Sequence, residues 1–510
     1  MRIHLLQQAY VKNRLVSCLF LCCITALSGC YKVGPDYVRP ELSALHGESW
    51  DSVDENCILL SPQQQEFAWW KQLNDPELTR LMKKMFTGNF SLAQARERIV
   101  EARARRGVSN ADRLPSAYLA GYTLRTKAGD EAASLVGIPP SEQATLFAGA
   151  ALAGWELDLW GRVARMVEAA DHQIESAYGD YQNAAVSLAA ELALAYINAR
   201  AFDEKVAITT ERAALLEEIV CLAEEKQAAG LETEQTVLQA RSDFSQAAAE
   251  IATYEQSAAL ARHQIAILTG VPPNKDILCA GGLPEIPEII GMDVPAKVLS
   301  RRPDVRAAEH AYAAYVAQVG AKMAEKYPRV ALGGLLSFQT TELYRFFNAD
   351  TLVYTFGGGI ALPIFTGGKI DADIRVSESQ AEQSKLQLKQ TVLEAVGEVE
   401  DAAVGVLKTD IQTAENLEVV SNTAAARCLV ANLRGSGLAT QSEFLTASVS
   451  ELAARDALVS AKQQEFGEVI RLYRALGGSW ERVPVNPADQ PVKPVESSDQ
   501  PAAEEGVTYE

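Results

Sequence analysis

One position in this chain is built for a covalent reaction. Leu27-Ser28-Gly29-Cys30 has the order of a bacterial lipobox, in which small residues let a signal peptidase reach the backbone and the thiol accepts a diacylglyceryl group. In front of it Arg2, Lys12 and Arg14 form a basic leader, and 15–27 is an apolar run of signal-core length, short of the roughly 20 residues that span a bilayer. The expectation is a signal peptide over 1–29, removed to leave Cys30 first and carrying diacylglycerol and an N-palmitoyl chain. Tyr31 stands where an aspartate would resemble an inner-membrane retention signal, so sorting to the outer membrane is expected.

The other reactive residue types form no catalytic or metal-binding pattern. Cys18, Cys22 and Cys23 leave with the signal; Cys57, Cys221, Cys279 and Cys428 remain, none in a CxxC or Cys/His spacing. His46, His172, His263 and His310 are scattered, so neither a metal site nor any cofactor beyond the acyl groups is expected. No Gly-rich phosphate loop, nucleophile elbow or HExxH motif appears, which argues against an enzyme. A formal charge of −19 and a pI of about 4.9 leave no basic surface to displace phosphate counterions, so no nucleic-acid partner is expected. The acidic excess is most simply solvated helix faces, although it would also suit a cation-attracting conduit.

The elements that must carry these residues read as membrane strands and very long helices. Leu352, Tyr354, Phe356, Gly358, Ile360, Leu362 and Ile364 alternate with the small Val353, Thr355, Gly357, Gly359 and Ala361, a period of two with the even positions expected to face lipid. Pro363 falls at the strand end, and 366–369 turns into a helix with no proline over 370–434, which would be on the order of 100 Å long.

Upstream, 31–65 reads as an irregular tether, and Asp75-Pro76 caps a helix running to Arg106 or beyond. Tyr118, Ala120, Tyr122 and Leu124 mark a first strand; Phe147, Gly149, Ala151, Ala153, Trp155, Leu157 and Leu159 share one face of a second. Trp160-Gly161-Arg162 opens a long helix to Ala229, and a returning helix ends at Gly270. After a Pro/Gly-rich connector, Arg301-Arg302-Pro303-Asp304-Val305 opens a helix that ends near Tyr327-Pro328, and Val330, Leu332, Gly334, Leu336 and Phe338 form a third strand. The order helix, strand, strand, long helix, turn, returning helix occurs twice, an internal duplication. The organisation is therefore a tether over 30–75, repeats over 76–270 and 296–480 joined by a connector over 271–295, and an acidic, Pro-rich, disordered tail over 481–510. Four strands cannot close a membrane barrel, and open edges are not viable in lipid; three chains would pool twelve strands.

These motifs together resemble the TolC family of outer-membrane efflux ducts, and within it the lipid-anchored NodT/OprM-like branch. The resemblance is carried by the lipobox with Gly34-Pro35-Asp36-Tyr37, Trp69-Trp70 with Asp75-Pro76, Leu157-Asp158-Leu159-Trp160-Gly161-Arg162, Arg301-Arg302-Pro303-Asp304-Val305 with Ala308-Glu309, Pro363-Ile364-Phe365 and Leu476-Gly477-Gly478. It implies a homotrimer with a twelve-stranded barrel on a long α-helical periplasmic tunnel. Its role would be the outer-membrane channel of a tripartite efflux system, conducting small molecules from a proton-driven inner-membrane pump and a periplasmic adaptor, or membrane-fusion protein. A type I protein-secretion duct or a heavy-metal efflux duct is the alternative.

The resemblance also implies that Gly230, Leu231, Gly437 and Leu438, at the helix–helix turns, dock the adaptor. The carboxylate ring of the lipoprotein branch falls on Thr446 here, with Glu443 one turn away as a substitute and Ser442 sharing the Thr446 face. Arg434 is the cation expected to latch a neighbouring chain. Cys221 and Cys428 precede their tip glycines by the same interval, as small interhelical residues or, less simply, as an oxidisable pair.

Overall fold

The structure, a computed structural model, describes residues 32–42, 45, 50, 68–127, 143–275, 277–279, 281–286 and 295–477. The signal peptide, Cys30, the loop after the first strand and the tail beyond 477 lie outside these residues.

Asp75 caps α1 (Pro76–Gly88), its carboxylate accepting from Glu77 N at 2.8 Å and Leu78 N at 3.0 Å. The helix expected to continue to Arg106 stops instead at Asn89. There the side chain accepts from Leu92 N at 2.9 Å and donates to Leu268 O at 2.8 Å, so it ends one helix, caps α2 (Phe90–Ala111) and ties both to the first returning helix. The strands β1 (Ser116–Lys127), β2 (Gln143–Leu157), β3 (Arg329–Thr340) and β4 (Leu352–Ala361) form one antiparallel sheet in sequence order.

Register decides which residues share a face. Tyr354 pairs with Leu336, Leu336 with Ala151 and Ala151 with Leu119. The even positions of β3 and β4 thus lie with Phe147, Trp155 and Leu157 of β2, but with Leu119 rather than Tyr118 of β1. Tyr118 and Tyr122 instead share the face of Glu156, Ser337, Gln339 and Thr355. The alternation in β1 was legible, but the face with the tyrosines is the more polar side of the sheet.

The duplication is plain in the helices. The long helices α3 (Arg162–Ala228) and α7 (Lys369–Gly435) each have 67 residues, and the returning α4 (Glu234–Leu268) and α8 (Gln441–Ala475) each have 35. At 1.5 Å per residue the long pair extends on the order of 100 Å. Short α5 (Pro295–Arg301) precedes α6 (Pro303–Ala324). The principal core gathers where α1 meets α3 and α8: Leu78, Leu81, Met82, Met85, Leu192, Phe466 and Ile470 are fully enclosed, and Trp69 stacks on Tyr473 at 4.9 Å. Among the described residues no helix is long and apolar enough to cross a membrane.

The motif residues act as fasteners. Arg302, 6 % exposed, opens α6 by donating to Ala475 O at 2.7 Å while pairing with Asp304 and with Glu398 of α7. Trp160 donates to Pro328 O at 2.8 Å and stacks on Tyr327, joining the two repeats just below the sheet. The described part of the tether is irregular, as expected, but firmly seated. Val33 N donates to Trp160 O, and Arg165, 1 % exposed, donates to Val33 O, Gly34 O and Asp36. Gly34, with φ of +91°, lies so close to α6 that a Cβ there would stand 2.4 Å from Gly320 Cα. Further along, Tyr37 donates to Glu309 at 3.0 Å and Arg39 pairs with the same carboxylate.

Candidate aperture and helix tips

Both hairpins turn by the same chemistry. Gly230 and Gly437 each take φ of +75°, closing a helix end in which Leu231 N donates to Lys226 O and Leu438 N to Leu433 O, 2.8 and 2.9 Å long. The leucine that follows each glycine is thrust outward, Leu231 77 % and Leu438 76 % exposed. Thr233 then caps α4 by accepting from Thr236 N, and Thr440 caps α8.

The second cap is the stronger. Thr440 Oγ1 accepts from Glu443 N at 3.2 Å, and Glu443 Oε2 accepts from Thr440 N at 2.6 Å and from its hydroxyl at 2.9 Å, a complete capping box. The hydrogen bond from Thr440 N, more than any other contact, lowers the Glu443 pKa. The carboxylate that the sequence offered as a substitute ring is thus already engaged at its own helix start. Arg434, expected to reach a neighbouring chain, is likewise engaged within its hairpin. It donates to Gln441 Oε1 at 2.5 Å and lies over the Phe444 ring, 4.1 Å from its centroid. Thr446 is exposed and donates to Ser442 O at 2.8 Å, while Ser442 is half-buried on the same face.

The structure also brings together residues that sequence reasoning passed over. Above the second tip, Glu451, 3 % exposed, is clasped between Arg427 of α7 and Arg455 of α8. Lys205 of α3 is buried beside the Phe202 and Tyr254 rings, its pKa pushed down by burial, and Asp456, whose pKa burial pushes up, accepts from Tyr254 OH at 3.3 Å. These contacts tie α8 to α3 and α4. The only local sequence signal for them was the i, i+4 spacing of Glu451 and Arg455. Cys221 and Cys428 are exposed, free thiols.

An apolar-faced sheet with two open edges, continued by paired helices on the order of 100 Å long and ending in two matched tips, defines an outer-membrane duct assembled from several chains. The chain belongs to the outer membrane efflux protein family, whose model matches residues 81–271 and 294–478. It is 28% identical to outer membrane protein OprJ of Pseudomonas aeruginosa over 89% of this chain and 94% of that one. It is 29% identical to nodulation protein T of Rhizobium leguminosarum bv. trifolii, over 74% and 79%. Among solved structures it superposes on the outer-membrane channel OprN with a TM-score of 0.77 at 29% identity, covering 88% of this chain and 99% of that one. The protein is an outer-membrane channel of a tripartite efflux system, with the fold of a barrel-and-tunnel trimer that works with an adaptor and an inner-membrane pump.

Proposed function

We propose that this channel passes small molecules delivered by a proton-driven pump and closes at the start of α8. Ser442 and Thr446 would line the narrowest point, and Gly230, Leu231, Gly437 and Leu438 would meet the adaptor. The observation that carries this reading is the state of the second tip. Its nearby carboxylate, Glu443, is engaged in the helix cap, whereas Thr446 is exposed, its hydroxyl tied only to Ser442 O of its own helix, so that its side chain can face a symmetry axis. Three hydroxyl groups narrow a pore by size and hydrogen bonding, without the mutual repulsion and cation affinity of three carboxylates.

Single-channel recording in planar bilayers tests the aperture. Thr446→Asp is expected to raise cation over anion selectivity, and Thr446→Ala to leave selectivity unchanged while widening conductance; identical traces for all three would move the aperture elsewhere. Dye efflux that survives ATP depletion but stops with a protonophore would support the proton-driven pump. The outward leucines suit an apolar groove between partner helices, the packing by which helical hairpins meet.

Diacylglycerol and N-palmitoyl on Cys30 complete the proposal. Lys32 lies against Gly161, where β2 gives way to α3, and two residues of chain reach at most about 7 Å further. Acyl chains on Cys30 would therefore enter the leaflet at the base of the sheet. Intact-protein mass spectrometry should give an N-terminal cysteine bearing three acyl chains.

A further inference from the structure

The duplication brings together two histidines that lie far apart in sequence. His172 of α3 and His310 of α6 face each other with their Nδ1 atoms 3.3 Å apart and their rings inclined at 30°. Both are half-buried, beneath the seated tether, where the Tyr37 ring lies 6.2 Å from that of His172. The backbones holding them are fixed on both sides. On one, Ser176 donates to Ala307 O at 3.0 Å; on the other, Gly34 is pressed onto Gly320.

We propose that His172 and His310 form a clasp for a borderline transition-metal cation, Cu²⁺ or Zn²⁺, that joins the two repeats under the tether. Two imidazole nitrogens bound to one ion at about 2.05 Å with a tetrahedral angle stand about 3.3–3.4 Å apart, the spacing found here. As a hydrogen-bonded pair one Nδ1 carries the proton; to ligate, that ring would shift its proton to Nε2, leaving both facing nitrogens open. Glu309 is already engaged by Tyr37 and Arg39. Among the described residues no ready-made set of three ligands exists, so water completes the shell and the affinity is modest.

The test uses the full-length trimer in detergent, without a histidine tag, titrated with Cu²⁺ and then Zn²⁺ at pH 7.5. One Cu²⁺ per chain is expected, with an EPR spectrum showing two coupled imidazole nitrogens. His172→Ala and His310→Gln should each weaken binding by at least about tenfold, and His263→Ala should leave it unchanged. Zn²⁺ should also shield His172 and His310, but not His263, from diethyl pyrocarbonate in the unaltered protein, a readout that needs no variant to fold. Absence of the two-nitrogen signature, equal affinity in the His172 and His310 variants, or unshielded histidines would each overturn the clasp.

Discussion

Glu77 shows how a single side chain serves two tasks. It takes a bidentate pair of hydrogen bonds from Arg80 at 2.8 and 2.7 Å and one from Cys279 N at 3.1 Å, fastening the connector to α1. These bonds, led by that from Arg80, hold its pKa down at about 2 against an ordinary 4.5. A lowered folded-state pKa means that the stabilisation is complete above the unfolded value and is lost as pH falls through the folded one. Glu77→Gln should therefore lower the melting temperature at pH 7 and flatten its fall between about pH 4.5 and pH 2. Differential scanning calorimetry of the solubilised protein checks this, and parallel acid limbs would refute it. At this scale the Asp75 cap was legible because an acidic residue before proline has one obvious local use. The Thr440-x-x-Glu443 spacing is itself a capping-box signature, whereas the engagement of Arg434 by Gln441 and Phe444 forms only across the closed turn.

Among elements, the strands make the sharpest claims. Tyr354 and Ile360 lie on the apolar face, 69 % and 75 % exposed in the single chain, whereas Thr355 lies opposite. A basic residue near the bilayer midplane costs roughly 2–4 kcal/mol on the lipid side and far less toward the lumen. Ile360→Arg should therefore reduce assembled trimer much more than Thr355→Arg, as read from heat-resistant trimer on gels; the reverse order would mean a register shifted by one. Strand positions and the matched helix lengths were legible because period-two alternation and proline-free runs are local signals. The orientation of β1 was not. Tyr118, Ala120 and Tyr122 alternate with Leu119 and Gly121, so neither face is polar enough to declare itself, and only pairing with β2 decides between them. The break at Asn89 has a local signal in Gly88-Asn89, where the Asn89 side chain caps the next helix through Leu92 N, but its tie to Leu268 O, far along the chain, has none.

For the molecule as a whole, duplication does more than repeat an architecture. It sets α3 of the first half against α6 of the second, so that residues distant in sequence become neighbours, as Ser176 with Ala307 and His172 with His310. Histidines judged scattered in the sequence are paired in space, and no spacing rule could have shown it. Repeat register can: counting forward from β2 and back from β3 places both rings on helices that flank the same strand pair.

The sheet leaves β1 and β4 as bare borders on every chain, and that has a genetic corollary. A wall closed only by several contributors fails when any one contributor is faulty. In a cell making equal amounts of sound and border-defective chains that still associate through their helices, random assortment leaves only about one eighth of trimers wholly sound. Such an allele should behave as dominant, depressing efflux well below the half expected from dosage alone. An allele that prevents the chain from being made should be recessive. Drug susceptibility of strains carrying both copies distinguishes the two, and half-normal resistance with the border-defective allele would mean that each chain closes its wall independently.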